Sequence, residues 1–300
     1  MVFFPLEELS RTCKGAALNF LKKHEMFCVH LTSAIKKSAQ DIYVCFTGDV
    51  LPKNIYGILS LRKTVLHCLP FANPEKLTAL QKDFSMSLKD FYLNEKLSAP
   101  LCVNGTKNGS FLILQSLCPL YEKPSLINEY ILMKLDEKSF RRLPAVPLFK
   151  NERVVRCKKE LPSGLMQSLS ELQKNYELEE VLPDGFEFNE DNSRLRLKNA
   201  LRNQYVIALE NADGRFVSKA ATNAIGFSCV QIGGVYTEKA SRRKNYSYNL
   251  LLVLLKKILH ARKTPVLYAK KSNNAACRLY EKLCFKKIDD YTIAYFSHKL

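Results

Sequence analysis

The stretch SCVQIGGVYTEKASRRKNYSYNLLLVLLKKILHAR, residues 228–262, decides the fold. Residues 228–237 read as a long strand, and 244–262 read as a helix that is apolar all round its middle and therefore deeply buried. A strand that passes through a short loop into such a helix leaves the first helical N–H groups without intrahelical acceptors, all pointing one way. The positive end of the helix dipole adds to Arg242, Arg243 and Lys244 around the turn, and a pyrophosphate is the ligand that best uses both. Taken alone, the same pattern also fits a solvated basic turn. Downstream, VLYAK (266–270) reads as a strand, NNAACRLYEKL (273–283) as a helix and YTIAYF (291–296) as a strand.

Upstream, LMQSLSELQKNYELEEVL (165–182) and 191–202 read as helices. QYVIAL (204–209), a turn at NADG and RFVSKAAT (215–222) read as a hairpin. The first half follows the same order: a helix over 18–37, a strand at 41–46, strands NIYGILSL and TVLHCLPF, a helix over 74–93, then strand-like FLILQSL (111–117) and NEYILMKL (128–135). Residues 43–71 and 205–237 share the pattern of a three-strand meander, a weak internal repeat that predicts tandem related domains; two unrelated α+β domains give the same alternation. The proline-bearing stretch 141–164 is the expected boundary, giving domains 1–145 and 146–300.

Composition narrows the class. Of 300 residues, 47% are apolar and 25% charged, which excludes a fibrous or wholly disordered chain. The longest clean apolar run, 250–255, is far short of the roughly 20 residues needed to cross a bilayer, so no membrane association is expected. Pro5, Glu7 and Glu8 break the order of a secretory signal, which points to a cytoplasmic protein. The ten cysteines form no C-x-x-C pair and the five histidines do not cluster with them, so reduced core thiols are expected rather than a metal site. The net charge of +17 draws polyanions but is spread over both halves, with no basic arm, so nucleic acid is not the expected partner.

Within VYTEKASRRKNYSYNLLL and SNNAACRLYEKLCF (272–285), the chain resembles the GCN5-related N-acetyltransferase (GNAT) superfamily. That family's cofactor motif is Arg or Gln, two variable residues, Gly, one variable, then Gly or Ala, and here Arg242, Asn245 and Ser247 stand in those places. Its later signature, an Asn at the end of a strand followed by A-x-x-L-Y-E-K-L-G-F, is matched by Asn273 and the helix after it. The resemblance covers roughly 150–300, and EEVLP, SKAATNAIGF and QIGGVYT look most like a bacterial subgroup. It implies an α+β fold of two tandem GNAT-like domains, each a mostly antiparallel twisted sheet flanked by helices. The first would be degenerate, reading LPFANPEKL where the cofactor loop belongs.

The same resemblance implies acetyl-CoA as cofactor. Its pyrophosphate would lie on the loop of Arg242, Arg243, Lys244, Asn245, Tyr246 and Ser247, and its pantetheine along Gly234, Val235, Tyr236 and Thr237 and against Asn273. Tyr280 aligns with the tyrosine that protonates the leaving thiolate, beside the alternative of a packed helix tyrosine. The amine must attack uncharged, and Glu180 is the preferred base, with Glu179 and Glu238 as further candidates. Thr222 and Asn223 would orient the substrate or cap the turn. Two departures stand out: Asn245 replaces a Gly that permits a left-handed backbone, and Cys284 replaces the Gly that ends the last helix. The expected activity is acetyl transfer from acetyl-CoA to a primary amine by a monomer or homodimer. The alternative is a non-catalytic acyl-CoA sensor or scaffold.

Overall fold

The computed structural model describes residues 1–61, 63–72, 78–144, 151–182 and 187–296. The expected boundary at 145/146 and the Pro74 to Lys76 part of the first-half loop lie outside them. The first half runs β1 (Val2–Pro5), α1 (Arg11–His24), α2 (Val29–Lys36), β2 (Ile42–Phe46), β3 (Ile55–Leu61), β4 (Thr64–Cys68), α3 (Ala79–Asn94), β5 (Cys102–Thr106), α4 (Lys107–Leu117), β6 (Leu126–Leu135) and the single turn α5 (Glu137–Phe140). The second half repeats it: β7 (Arg153–Cys157), α6 (Ser163–Tyr176), a π-helical turn (Glu177–Val181), α7 (Glu190–Asn203), β8 (Val206–Glu210), β9 (Phe216–Ile225), β10 (Cys229–Thr237), α8 (Tyr246–His260), β11 (Thr264–Lys270), α9 (Asn274–Lys282) and β12 (Phe285–Tyr295).

The strands form one sheet in the order β1-β2-β3-β4-β5-β12-β6-β11-β10-β9-β8-β7. Each half contributes an antiparallel meander, β2-β3-β4 or β8-β9-β10, and one parallel pair, β4 with β5 or β10 with β11. The final strands are exchanged. β12, the last strand of the second half, pairs with β5 of the first, while β6, the last strand of the first, pairs with β11 of the second. β6 and β12 then pair antiparallel along their full lengths, Leu126 opposite Tyr295 and Leu135 opposite Phe285.

Three elements differ from their sequence reading. FLILQSL is helical, the end of α4, because Gly109 and Ser110 belong to its buried face with Leu112, Ile113, Ser116 and Leu117, a spacing of 3.6 that appears once small residues are counted. Gly109 is small because the His67 ring lies where its Cβ would be, 2.4 Å away. The single helix read over 18–37 is two, α1 and α2, parted by the 3₁₀ turn Glu25–Phe27. The helix read over 165–182 ends in the π turn.

α8 meets the expectation of deep burial: Leu250, Leu251, Leu254 and Leu255 are fully enclosed against the inner face of β8–β11. Truncating any one to Ala removes about 2–5 kcal/mol. A second core lies in the first half around Phe84 and Leu88 of α3 and Ile113 and Leu117 of α4. All ten thiols are free, and among the described residues no helix is long and apolar enough to cross a membrane.

Glu25, 1% exposed, ties the halves together. Its carboxylate accepts the Phe227 and Ser228 amides and the Ser228 hydroxyl in the β9–β10 turn, and the Thr32 hydroxyl at 3.1 Å. Gly226 is required there, since a Cβ would come within 1.9 Å of Glu25 Oε1. Lys36 and Lys263 close the turn by donating to the Gly226 carbonyl at 3.0 and 2.9 Å. Glu25→Ala leaves buried amides unpaired and should cost about 3 kcal/mol in urea unfolding, affecting both halves in one transition.

Candidate functional site

β10 and β11 pair as parallel strands over residues 229–232 and 264–267 and then part. The cause lies in β10, which breaks register with β9 between Gly233 and Tyr236, with Gly234 at φ +60°. Only glycine takes that conformation without steric cost. Gly233 is constrained from the β9 side, where a Cβ would come within 2.3 Å of the Asn223 amide.

Lys219 of β9 supports the bulge. Its side chain is buried, Nζ donates to the Gly234 carbonyl at 3.1 Å, and the ammonium lies 4.3 Å from the centre of the Tyr176 ring. Burial pushes its pKa down to about 7, with Glu177 and Cys157 pulling weakly the other way.

The π turn after α6 faces the bulge and sends its carboxylates to three different partners. Such one-turn π insertions recur at functional sites. Glu177 is buried and takes a two-pronged ion pair from Arg196 at 2.6 and 2.8 Å. Glu179 accepts from the Tyr236 hydroxyl at 2.6 Å and from Arg242 at 2.7 Å. Burial opposes its ionisation, but these two hydrogen bonds and the Arg242 charge hold the carboxyl below its ordinary range. Glu180 accepts from Asn273 Nδ2 at 2.9 and 3.0 Å.

The basic loop is built around two left-handed residues, Arg243 at φ +65° and Asn245 at φ +60°. Asn245 thus adopts the backbone anticipated for a glycine substitute. It precedes α8 without a side-chain cap, and the first intrahelical bond runs from Asn249 N–H to the Asn245 carbonyl at 3.0 Å. The amides of Tyr246, Ser247 and Tyr248 therefore open the helix with no intrahelical acceptor. Arg243 and Lys244 are exposed, whereas Tyr246 is buried and its hydroxyl donates to Glu152. Arg242 Nε binds the Thr237 carbonyl at 3.0 Å, and Thr237 and Ser247 share a hydroxyl contact at 2.6 Å, which fastens the loop to β10.

On the other side of the gap, Asn273 caps α9 by accepting the Ala276 amide at 2.9 Å. Tyr280, on the same helix, is buried edge-on to Phe285, and burial raises its phenol pKa well above the ordinary value. α9 ends at Lys282 with Leu283 as its cap, and Cys284 just beyond takes φ +65°, the conformation usually given to glycine at that position.

A cavity of about 290 Å³ occupies the parting of β10 and β11 and brings together Glu180, Gly234, Val235, Asn273 and Tyr280. Tyr236, Thr237 and residues 242–247 lie outside its lining, joined to it through Glu179 and Thr237. Glu238 accepts from Ser241 at 2.7 Å, and the Thr222 hydroxyl bonds Gln204 and the Tyr205 amide at 2.8 and 2.9 Å, a cap; neither lines the cavity. Asn223 does line it. A larger groove, about 790 Å³ between α6 and α7, is lined by none of these groups.

Several lining residues carried no signal in the sequence. His30, Asn104 and Tyr130 come from the first half, and Gln231 and Tyr268 from strand interiors. The strand exchange brings Asn104 and Tyr130 to the site, a placement that local pattern does not reveal. In the first half, His67 of β4 lies against α4 beside a pocket of about 200 Å³ that it lines with Leu69, Pro70, Thr106 and Asn108. Its ring bonds Ser110 at 3.0 Å and packs on Gly105 and Gly109, where added Cβ atoms would come within 2.0 and 2.4 Å.

Lys219 makes stability depend on pH. Its pKa is near 7 in the fold and 10.5 when free, so across that window the unfolded chain holds a proton that the fold releases, and stability rises with pH. The melting temperature of the parent relative to Lys219→Met should therefore climb between pH 7 and pH 9.5 in paired thermal scans.

Comparison with known proteins agrees with this architecture. Residues 214–294 match the family model described as FR47-like protein. No curated protein matches the chain. Among solved structures, a Drosophila protein is similar with TM-score 0.61 at 10% identity, over 98% of each chain. A tandem GNAT protein from the clavulanic acid biosynthesis pathway is similar with TM-score 0.57 at 13% identity, over 100% of this chain and 99% of that one. A GNAT-family acetyltransferase from Colwellia psychrerythraea is similar with TM-score 0.55 at 10% identity, over 99% of this chain and all of that one. The chain has the tandem GNAT fold, and its second half carries an FR47-like region.

Proposed function

We propose that the chain transfers the acetyl group of acetyl-CoA to a primary amine, with the chemistry in the cavity between β10 and β11. The observation that carries this reading is the convergence of Glu180, Asn273, Tyr280 and the Gly234 bulge on that one cavity. The neighbouring loop fits the rest of the cofactor. Left-handed Arg243 and Asn245 lead into the free amides that open α8, and the exposed cations of Arg243 and Lys244 suit a pyrophosphate. Val235, Tyr236 and Thr237 continue β10 from the bulge to the loop and would run beside the pantetheine.

Acetyl-CoA supplies a thioester, whose acyl carbon takes a nucleophile and whose sulfur leaves as thiolate. In this reading Glu180 accepts the proton that the amine nitrogen sheds, and its hydrogen bonds from Asn273 support that role by fixing the carboxylate. Tyr280 keeps its proton at neutral pH because burial raises its pKa, so it has one to give to the departing thiolate. The N–C bond formed and the C–S bond broken are thus matched by one proton taken and one given. The first half takes no cofactor in this reading, since LPFANPEKL stands where the second half has the basic loop SRRKNYS. Ten free thiols suit a reducing, cytoplasmic setting.

The side chain of Asn245, held at a left-handed position where phosphate would approach, favours a second reading of binding without turnover. Titration calorimetry with acetyl-CoA, followed by product detection on an amine panel, separates the two. Micromolar binding with acetylated product supports transfer, binding alone supports the sensor, and no binding ends both. Asn245→Gly should tighten acetyl-CoA severalfold, and Lys244→Glu should weaken it, more so at low salt. Tyr280→Phe should lower kcat about 100-fold with acetyl-CoA affinity unchanged.

A further inference from the structure

Gly234 and Val235 stand outside both ladders of β10. Pairing with β9 lapses between Gly233 and Tyr236, and pairing with β11 ends at Ile232. Both residues line the cavity, and Tyr236 beyond them returns to register opposite Lys219 of β9. Gly233 and Gly234 bring no Cβ to resist rotation, so the peptide joining Gly234 to Val235 has two orientations open to it. One sends the Gly234 carbonyl towards β9, and the other sends it into the gap.

Lys219 selects the first. Its Nζ reaches over from β9 to donate to the Gly234 carbonyl at 3.1 Å, and the Tyr176 ring, 4.3 Å away, covers it. In a trans peptide the carbonyl and the following N–H point opposite ways. β9 and β11 flank β10 on opposite sides, so a carbonyl held towards β9 turns the Val235 amide towards the gap that β11 has left. As a structural prop, Lys219 is a poor choice. It is 4% exposed, and the lowered pKa that burial gives it makes the fold less stable at neutral pH than an uncharged side chain of the same length would. Local rules of this kind are broken where function requires it.

We infer that Lys219 is a positioning residue for the acyl group: by holding the Gly234 carbonyl on the β9 side it keeps the Val235 amide turned into the cavity, where that amide donates to the oxygen of the thioester carbonyl. Negative charge develops on this oxygen as the amine adds, and a fixed N–H aimed at it strengthens its hold as the charge grows. The opposite orientation would set the Gly234 carbonyl oxygen against the thioester oxygen and repel it. Lys219 touches neither cofactor nor acceptor and acts through one peptide bond. The inference rests on the acetyl-transfer reading and concerns how the site holds the acyl carbonyl.

The test compares acetyl-CoA with S-ethyl-CoA, a thioether of the same size without the carbonyl oxygen, by calorimetry on the full chain. The parent should bind acetyl-CoA about fivefold more tightly. Lys219→Met should bring the two to equal affinity by weakening acetyl-CoA alone, and should lower kcat at least about tenfold with the acceptor KM unchanged. A parent that binds both ligands equally overturns the inference while leaving cofactor binding intact. So does a Lys219→Met chain that keeps the preference, or one that loses affinity for both ligands alike, which is the mark of a merely structural role. Binding of neither ligand by the parent ends the acetyl-CoA reading itself, and the inference with it. A second measurement needs no variant at position 219: in the parent with valine isotopically labelled at nitrogen, the Val235 amide proton, assigned with Val235→Ile, should move further downfield with acetyl-CoA than with S-ethyl-CoA. Equal shifts overturn the inference. If no amine turns over, the two binding comparisons still decide it.

Discussion

The exchange of β6 and β12 is the constraint on which the rest of the structure depends. A sheet edge presents unpaired N–H and C=O groups, and β6 and β12 would each be such an edge if every half kept its own last strand in a separate sheet. Crossing over covers both and fuses two meanders into one sheet. The exchange also sets what faces the cavity. Tyr130 on β6 sits opposite Lys270 of β11, and Asn104 on β5 is held next to β12, so side chains of the first half reach a gap formed by strands of the second. Glu25 secures the same union from the helical layer, gripping the β9–β10 turn ahead of the strand that must bulge.

The bulge depends on several weak devices acting together. A glycine supplies the left-handed backbone, a buried lysine holds the carbonyl that turns inward, and a π turn places consecutive glutamates so that one fastens the basic loop and the other faces the gap. An ordinary α-helical end would point Glu179 and Glu180 about 100° apart around one axis, and the widened turn changes that direction. The two halves diverge at this point. The first has the same parallel pair but sets the His67 ring on Gly105 and Gly109, beside a smaller pocket of about 200 Å³.

Local pattern conveyed much of this and failed where partners are remote. The strand, loop and helix of 228–262 and the LYEKL helix were legible because apolar periodicity, clustered cations and the unusual Asn245 and Cys284 are all local signals. Both residues take the left-handed backbone that their positions suggested. FLILQSL was misread because four apolar residues in a row look like a buried strand, while the small residues completing the helical face carry no hydrophobic signal. The π turn differs from an α-helical end by one residue of winding, and ELEEV has no composition that announces it. Lys219 reads as a strand lysine bound for solvent, and its burial is decided by Tyr176 and Gly234, far away in sequence. The exchange itself was invisible, because β6 and β12 have the same alternation whichever neighbour they take.

The exchanged strands also bear on synthesis. While the chain emerges from the ribosome, β1 to β5 and the helices around them can collapse early, but the edge of β5 has no permanent neighbour until β12, the last strand, has been made. The first half must therefore remain incomplete through translation of the second. Its exposed edge is open to false partners all that time, including β6, the adjacent strand in sequence. Splitting the gene between the halves would yield two fragments, each holding the strand that the other needs.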